Sequence, residues 1–366
     1  HLAFAAPASL EKNLKFVPGY GRWDDLLVLL DTPLEAAAVR LIRTQLEKDL
    51  RAAWEEKPVS LLAKWLPSVN TSSREARAKA RHLAASFGMQ EAEYRKMLVR
   101  LRRRIALIEN ALRTKDYTFD YAKQPSKAMF KYRAAFWRND MERYKAFLER
   151  VERGEERLHT GTLYPYEIIR PLSAAVTPHI PQEEARTLDV TWSALPDYTH
   201  GENALVVLDG SGSMYWGGNP LPSSVALSLA IYFAERNTGA FHGHFITFSG
   251  NPRLVEIKGA TIVERVHYCK SFDEVANTNL EAVFRLLLRA AVKNRVPQEE
   301  LPSVLYIITD MEFDACTVDA DVTNFERAKE LFAEAGYALP RIVFWNVQSR
   351  RCQQPVRQNE QGVTLV

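Results

Sequence analysis

Five oxygen-bearing side chains in the second half of the chain have the types and spacing of a hard-cation site. Asp209, Ser211 and Ser213 alternate along Asp209-Gly210-Ser211-Gly212-Ser213, and Thr278 and Asp310 follow at long intervals. Carboxylate and hydroxyl oxygens, with no histidine or thiolate among them, suit Mg2+ or Mn2+, which prefer octahedral oxygen coordination and keep several waters. Only two of the five carry charge. A bound ion would therefore stay electrophilic and keep an open position for an anionic oxygen of a partner, either a carboxylate or a phosphate. Glu312 and Asp314 follow Asp310 closely and are expected to orient the ligands from behind. Trp216, on the loop Trp216-Gly217-Gly218-Asn219-Pro220, is expected on the partner surface. A plainer account makes Asp209 and the serines caps of the helix expected near residue 223.

The elements around these residues decide between the two accounts. After residue 203 short β-branched runs alternate with longer helical ones. Strands are expected at 204–208, 243–248, 253–257, 304–308, 342–345 and 363–366, and helices at 223–237, 278–294 and 324–336. Near-continuous apolar strands separated by helices predict a mostly parallel, doubly wound, Rossmann-like sheet, which gathers ligands at the carboxyl ends of its strands. Asp209 and Asp310 each follow such a strand, and Thr278 opens a helix. Upstream, from Leu34 to Val151, apolar residues recur at three- and four-residue intervals, which predicts five to seven antiparallel helices. No strict repeat period is visible, so any HEAT-like array would be irregular. Pro171, Pro178, Pro181 and Pro196 give the stretch between the halves the composition of a linker. The expected class is thus α + α/β: a helical, basic domain over 1–172, a linker over 173–200 and an α/β domain over 201–366.

At Asp209, Ser211, Ser213, Thr278 and Asp310 the sequence resembles the von Willebrand factor A (vWA) superfamily. The metal-ion-dependent adhesion site (MIDAS) of that family reads D-x-S-x-S, then Thr, then Asp, and the resemblance covers about 201–366. It implies that the serines and the threonine contact a metal directly while the aspartates often act through water. It also implies a binding role. Leu61–Ser68, Tyr94–Lys96, Thr309–Asp314 and Val343–Asn346 resemble a domain-of-unknown-function family that joins helical and vWA parts. That joined architecture is similar to the Ro autoantigen (TROVE) proteins, in which a ring of helical repeats and a vWA domain bind small structured RNAs and the ends of misfolded ones. The similarity implies an RNA partner and transfers no RNA-contacting residue.

Charge supports the same direction. The whole chain balances 48 basic against 45 acidic residues, but Ser60–Arg133 holds 17 Lys and Arg against 6 Asp and Glu. Two clusters stand out, Arg74-Arg77-Lys79-Arg81 and Arg95-Lys96-Arg100-Arg102-Arg103-Arg104, interleaved with Trp65 and Tyr94 and followed by Tyr117, Tyr121, Tyr132 and Trp137. Clustered cations attract phosphates and exposed aromatics stack unpaired bases, whereas solvated helix faces and core aromatics are the plainer account of the same residues. The expected partner is RNA. The rival reading is a protein-interaction scaffold whose metal captures an acidic protein ligand. No H-E-x-x-H, Walker A or G-x-S-x-G pattern is present, so no catalytic residue is expected. Cys269, Cys316 and Cys352 fit neither a disulfide framework nor a zinc spacing. No apolar run reaches the roughly 18 residues of a membrane span, and the expectation is a soluble, cytoplasmic protein.

Overall fold

The computed structural model describes residues 2–105, 108–173, 179–272, 279–310, 318–348 and 363–366. The chain forms two compact units, His1–Phe119 and Asp120–Val366.

The first unit is helical. Its longest helix, α1 (Glu35–Trp54), buries Ala38, Ile42, Leu46 and Ala53, the stripe that a 3.6-residue period brings to one face. Asp49 lies on the same stripe and is satisfied there. It accepts hydrogen bonds from Ser60 N at 3.0 Å, Ser60 Oγ at 2.6 Å and Gln45 Nε2 at 2.9 Å, which tie the following segment back to the helix. Helix α2 (Arg74–Ser86) starts where Ser73 Oγ accepts the Ala76 N–H at 3.3 Å and ends before Gly88, whose φ of 69° suits glycine. Helix α3 (Glu91–Arg104) turns Tyr94, Met97, Leu98 and Leu101 into a core shared with Leu26, Ile42 and Leu83.

The second unit opens with α4 (Ser126–Asn139) and α5 (Met141–Glu152). These are held by an aromatic nest of Tyr121, Phe136, Tyr144 and Phe147, in which Phe136 and Tyr144 have centroids 5.1 Å apart. The stretch expected to be a linker is partly helical. It contains α6 (Gln182–Ser193), whose Leu188 and Trp192 are buried. Pro181 is its N-cap residue and Pro196 follows its end. The prolines mark the ends of a helix, a role proline fills because it lacks a donor and restricts the residue before it.

The sheet contains β1 (Ala204–Asp209), β2 (His244–Phe248), β3 (Leu254–Glu256), β4 (Val304–Thr309), β5 (Arg341–Asn346) and β6 (Val363–Leu365). Their order is β3-β2-β1-β4-β5-β6, and all neighbours are parallel except the antiparallel β2–β3 pair. The crossovers are α7 (Pro222–Arg236), α8 (Ile262–Lys270), α9 (Leu280–Asn294) and α10 (Val318–Glu334). Alternate side chains of β1 face opposite layers. Val206 and Leu208 pack with Ile231 of α7, Val266 of α8 and Trp192 of α6, while Leu205 and Val207 pack with Leu287 of α9 and Phe332 of α10. The fold is therefore α + α/β, as the periodicity predicts. Helix α8, with only nine residues, is absent from the expected elements. Among the described residues no helix is long and apolar enough to cross a membrane. Cys269 is a buried free thiol; Cys316 and Cys352 lie outside the described residues.

Candidate functional site

In this strand order the winding reverses between β1 and β4, and the crevice for a ligand opens at their carboxyl ends. Leu208 is in register with Ile308, so Asp209 ends β1 level with Thr309, and Asp310 comes next. Both aspartates are almost wholly buried, 3% and 1% exposed. Asp209 Oδ1 accepts the Ser211 N–H at 2.8 Å and Oδ2 accepts the Thr309 hydroxyl at 2.6 Å. A 3-10 turn at Gly212–Tyr215 brings Ser211 Oγ and Ser213 Oγ within 3.1 Å of each other. Helix α7 begins at Pro222 after Leu221 with no side-chain cap. Asp209 and the serines are thus not caps of that helix.

Burial pushes the Asp209 carboxyl above its ordinary range, hydrogen bonds from Thr309 and Ser211 oppose the shift, and the charge of Asp310 adds to it. Two desolvated carboxylates in one crevice are costly unless positive charge joins them. Among the described residues no group of three or more His, Cys, Asp or Glu gathers. The donor set here is two carboxylates and neighbouring hydroxyls, which fits a hard cation and not zinc. Thr278, Glu312 and Asp314 lie outside the described residues.

Two neighbours of this site carry no signal in the sequence. Lys270, at the end of α8, lines a small pocket with Asp209, Tyr215 and Ser224 and donates to the Leu172 carbonyl at 3.2 Å. Ser249, just past the end of β2, borders Gly210 and has a buried hydroxyl with no hydrogen-bond partner among the described residues. Both lie far from Asp209 along the chain, and only the crossovers bring them close. Trp216 is 72% exposed on its loop. Gly218 in that loop has no room for a side chain, since a Cβ would lie 2.5 Å from the Pro220 carbonyl oxygen and 2.6 Å from Gln348 Oε1.

The expected basic residues divide into two kinds. Arg102 reaches inward, donating to the Ala63 and Leu66 carbonyls at 2.8 and 2.7 Å, and burial lowers its pKa. Arg77 donates to the Thr71 carbonyl at 2.9 Å, Lys79 pairs with Glu75 at 2.7 Å and Arg81 with Glu91 at 3.1 Å. These four support the local structure. Arg74 is exposed at the start of α2. The others form two adjacent rows along α3, Arg95-Val99-Arg103 and Lys96-Arg100-Arg104, as four-residue spacing requires. With Ala53 they line an open groove of ≈ 510 Å³. Of the expected stacking aromatics, Tyr94 and Tyr121 are buried, while the half-buried Trp137 donates to Thr187 Oγ1 at 2.7 Å and the half-buried Trp65 lies under Arg22. An aromatic that stands free of the core beside these rows is Trp54, 78% exposed, with the Arg100 guanidinium 5.6 Å from its ring centroid.

The chain is similar to two domain families of unknown function. Residues 71–198 match the model of DUF2828 and residues 203–366 that of DUF7788. The uncharacterised protein L728 of Acanthamoeba polyphaga mimivirus is 28% identical over 387 residues, covering 96% of this chain and 66% of its own length. Among solved structures, the Ro (RSR) protein of Deinococcus radiodurans aligns at a TM-score of 0.43 with 14% identity, over 84% of this chain and 62% of that one. The chain thus spans just under two thirds of the length of either protein. At that TM-score the likeness to the Ro protein carries no functional argument.

Proposed function

We propose that this is a non-enzymatic binding protein that holds one Mg2+ or Mn2+ at Asp209, Ser211, Ser213, Thr278 and Asp310 and offers it to an anionic oxygen of a partner. The burial of Asp209 and Asp310 side by side at the switch point of the sheet is the observation that carries this reading. Bound there, a divalent cation supplies the positive charge that the two carboxylates call for, together with an open coordination position. The chain does the positioning. Thr309 and the Ser211 N–H fix the Asp209 carboxylate, and the 3-10 turn keeps the Ser211 and Ser213 oxygens close together. An acidic protein ligand is the partner whose chemistry fits that position, with Trp216 on the rim beside it.

The helical unit completes the proposal as the part that grips structured or damaged RNA, as in a Ro-like protein. The two cation rows of α3 support this, because phosphate attraction needs several cations on one surface. Binding of the purified full chain to a structured RNA, measured over a series of salt concentrations, tests it. Affinity is expected to fall steeply with salt and to be lost in Arg95→Glu/Arg100→Glu/Arg103→Glu. Salt-insensitive binding, or binding unchanged by the triple substitution, would leave the metal-dependent protein scaffold as the whole function.

A further inference from the structure

The groove along α3 has a second property beside its charge. Arg95, Lys96, Arg100 and Arg103 form no ion pair with a carboxylate among the described residues, while Arg104 pairs with Glu56 at 3.1 Å. Across the nine-residue step from Arg95 to Arg104 the rows extend about 13 Å along the helix axis. At the edge of this strip α1 ends in Trp54, exposed over most of its surface, with its neighbour Ala53 lining the groove. Arg100 belongs to both features, lining the groove while its guanidinium sits near the indole ring. An exposed indole beside cations with no carboxylate partner is a poor packing element, since it leaves a large apolar face in water. It is a good platform for a planar ring that arrives with its own negative charge. A duplex presents phosphates to such a strip but keeps its bases stacked inside; only an unpaired nucleotide offers both groups at once.

We propose that this groove is a subsite for an unpaired stretch of RNA, its phosphates lying along the two cation rows and one base stacking on Trp54. The proposal rests on the reading that the helical unit binds RNA, and it adds the form of RNA and the residue that selects it. Stacking on an aromatic face is tolerant of base identity, so the subsite selects unpaired structure and not sequence. Arg100 contributes both to the phosphate strip and to the orientation of the ring.

Fluorescence anisotropy of the full-length chain with a labelled 12-nucleotide single strand, and separately with a perfectly paired duplex RNA, tests this. Trp54→Ala is expected to weaken the single strand roughly 5- to 150-fold, the range for loss of one base–aromatic stack, and to leave the duplex unchanged. Trp54→Phe should keep most of the affinity. For the single strand, log K should fall with log salt at a slope of roughly −2 to −3, the value for three or four phosphates. Because Trp54 is exposed, both variants should melt with the wild type. Single-strand binding that is unchanged in Trp54→Ala overturns the stacking subsite. If Arg95→Glu/Arg100→Glu/Arg103→Glu still loses RNA in that case, the RNA reading stands without it. A wild-type chain that binds neither RNA overturns both.

Discussion

Asp209 has both carboxylate oxygens engaged by protein donors, so what remains unsatisfied is its charge and not its hydrogen bonding. Replacing it with Asn removes that charge from beside Asp310. In EDTA, Asp209→Asn is expected to raise the melting temperature by about 2–4 °C, which corresponds to relief of about 1 kcal/mol in a unit of this size. The same variant should lose the stabilisation that Mg2+ gives the wild type; calorimetry with and without the ion measures both. Glu35 is the opposite kind of carboxylate. Its Oε2 accepts the Asp31 N–H at 2.8 Å and its Oε1 lies 2.6 Å from His82 Nε2, and these contacts, the first the larger, hold its pKa below 4.5. The lowered value means that its stabilisation is present above pH 4.5 and is lost as pH falls below it. Glu35→Gln should therefore flatten the pH dependence of the urea midpoint between pH 5 and pH 3 by a small amount, below about 1 kcal/mol for a partly exposed, solvent-screened group. At this scale Asp209, Ser211 and Ser213 were legible as candidate ligands because they share one loop, and Asp310 because it directly follows an apolar run. Thr309, which orients Asp209, was not, since only strand register brings it there.

Two helices show what periodicity does and does not reveal. On α3 the charge pattern marks a basic face, but it does not separate Arg102, which caps the helical turn Leu62–Trp65 through two carbonyls, from the cations of the groove. Arg102→Ala should destabilise the helical unit by about 1–3 kcal/mol through the orphaned carbonyls, whereas Arg103→Ala should leave its stability unchanged and reduce the salt slope of single-strand binding by about 0.7. Chemical denaturation and salt titration of the two variants separate the roles. On α6 the flanking prolines hide a helix whose Leu188 and Trp192 face the same core as Val206 and Leu208 of β1. The Trp192 indole also donates to Glu235 at 2.8 Å. Trp192→Ala should cost the second unit about 3–5 kcal/mol, a loss that no linker residue would cause and that guanidinium unfolding would record. The strands were legible because β1 and β4 are apolar on both faces. Helix α8 was not, because nine residues with three buried positions make too short a period to stand out.

At the scale of the molecule, three divisions of the chain compete. Composition places a boundary in 173–200 and the two family models meet between 198 and 203, but the compact units part at Phe119 and Asp120. The reason is burial: Ile168, Ile169, Leu172, Leu188 and Trp192 complete one face of the sheet core. A fragment over 120–366 should accordingly unfold as one cooperative transition, while a fragment over 201–366 exposes that face and should aggregate; light scattering and calorimetry distinguish them. The proposed cation site lies within the larger unit. Its central test is titration of the full-length protein with Mn2+ by isothermal calorimetry, in the wild type and in Asp209→Ala. One ion per chain is expected in the wild type and none in the variant. Equal uptake by both, or none by either, would contradict the site.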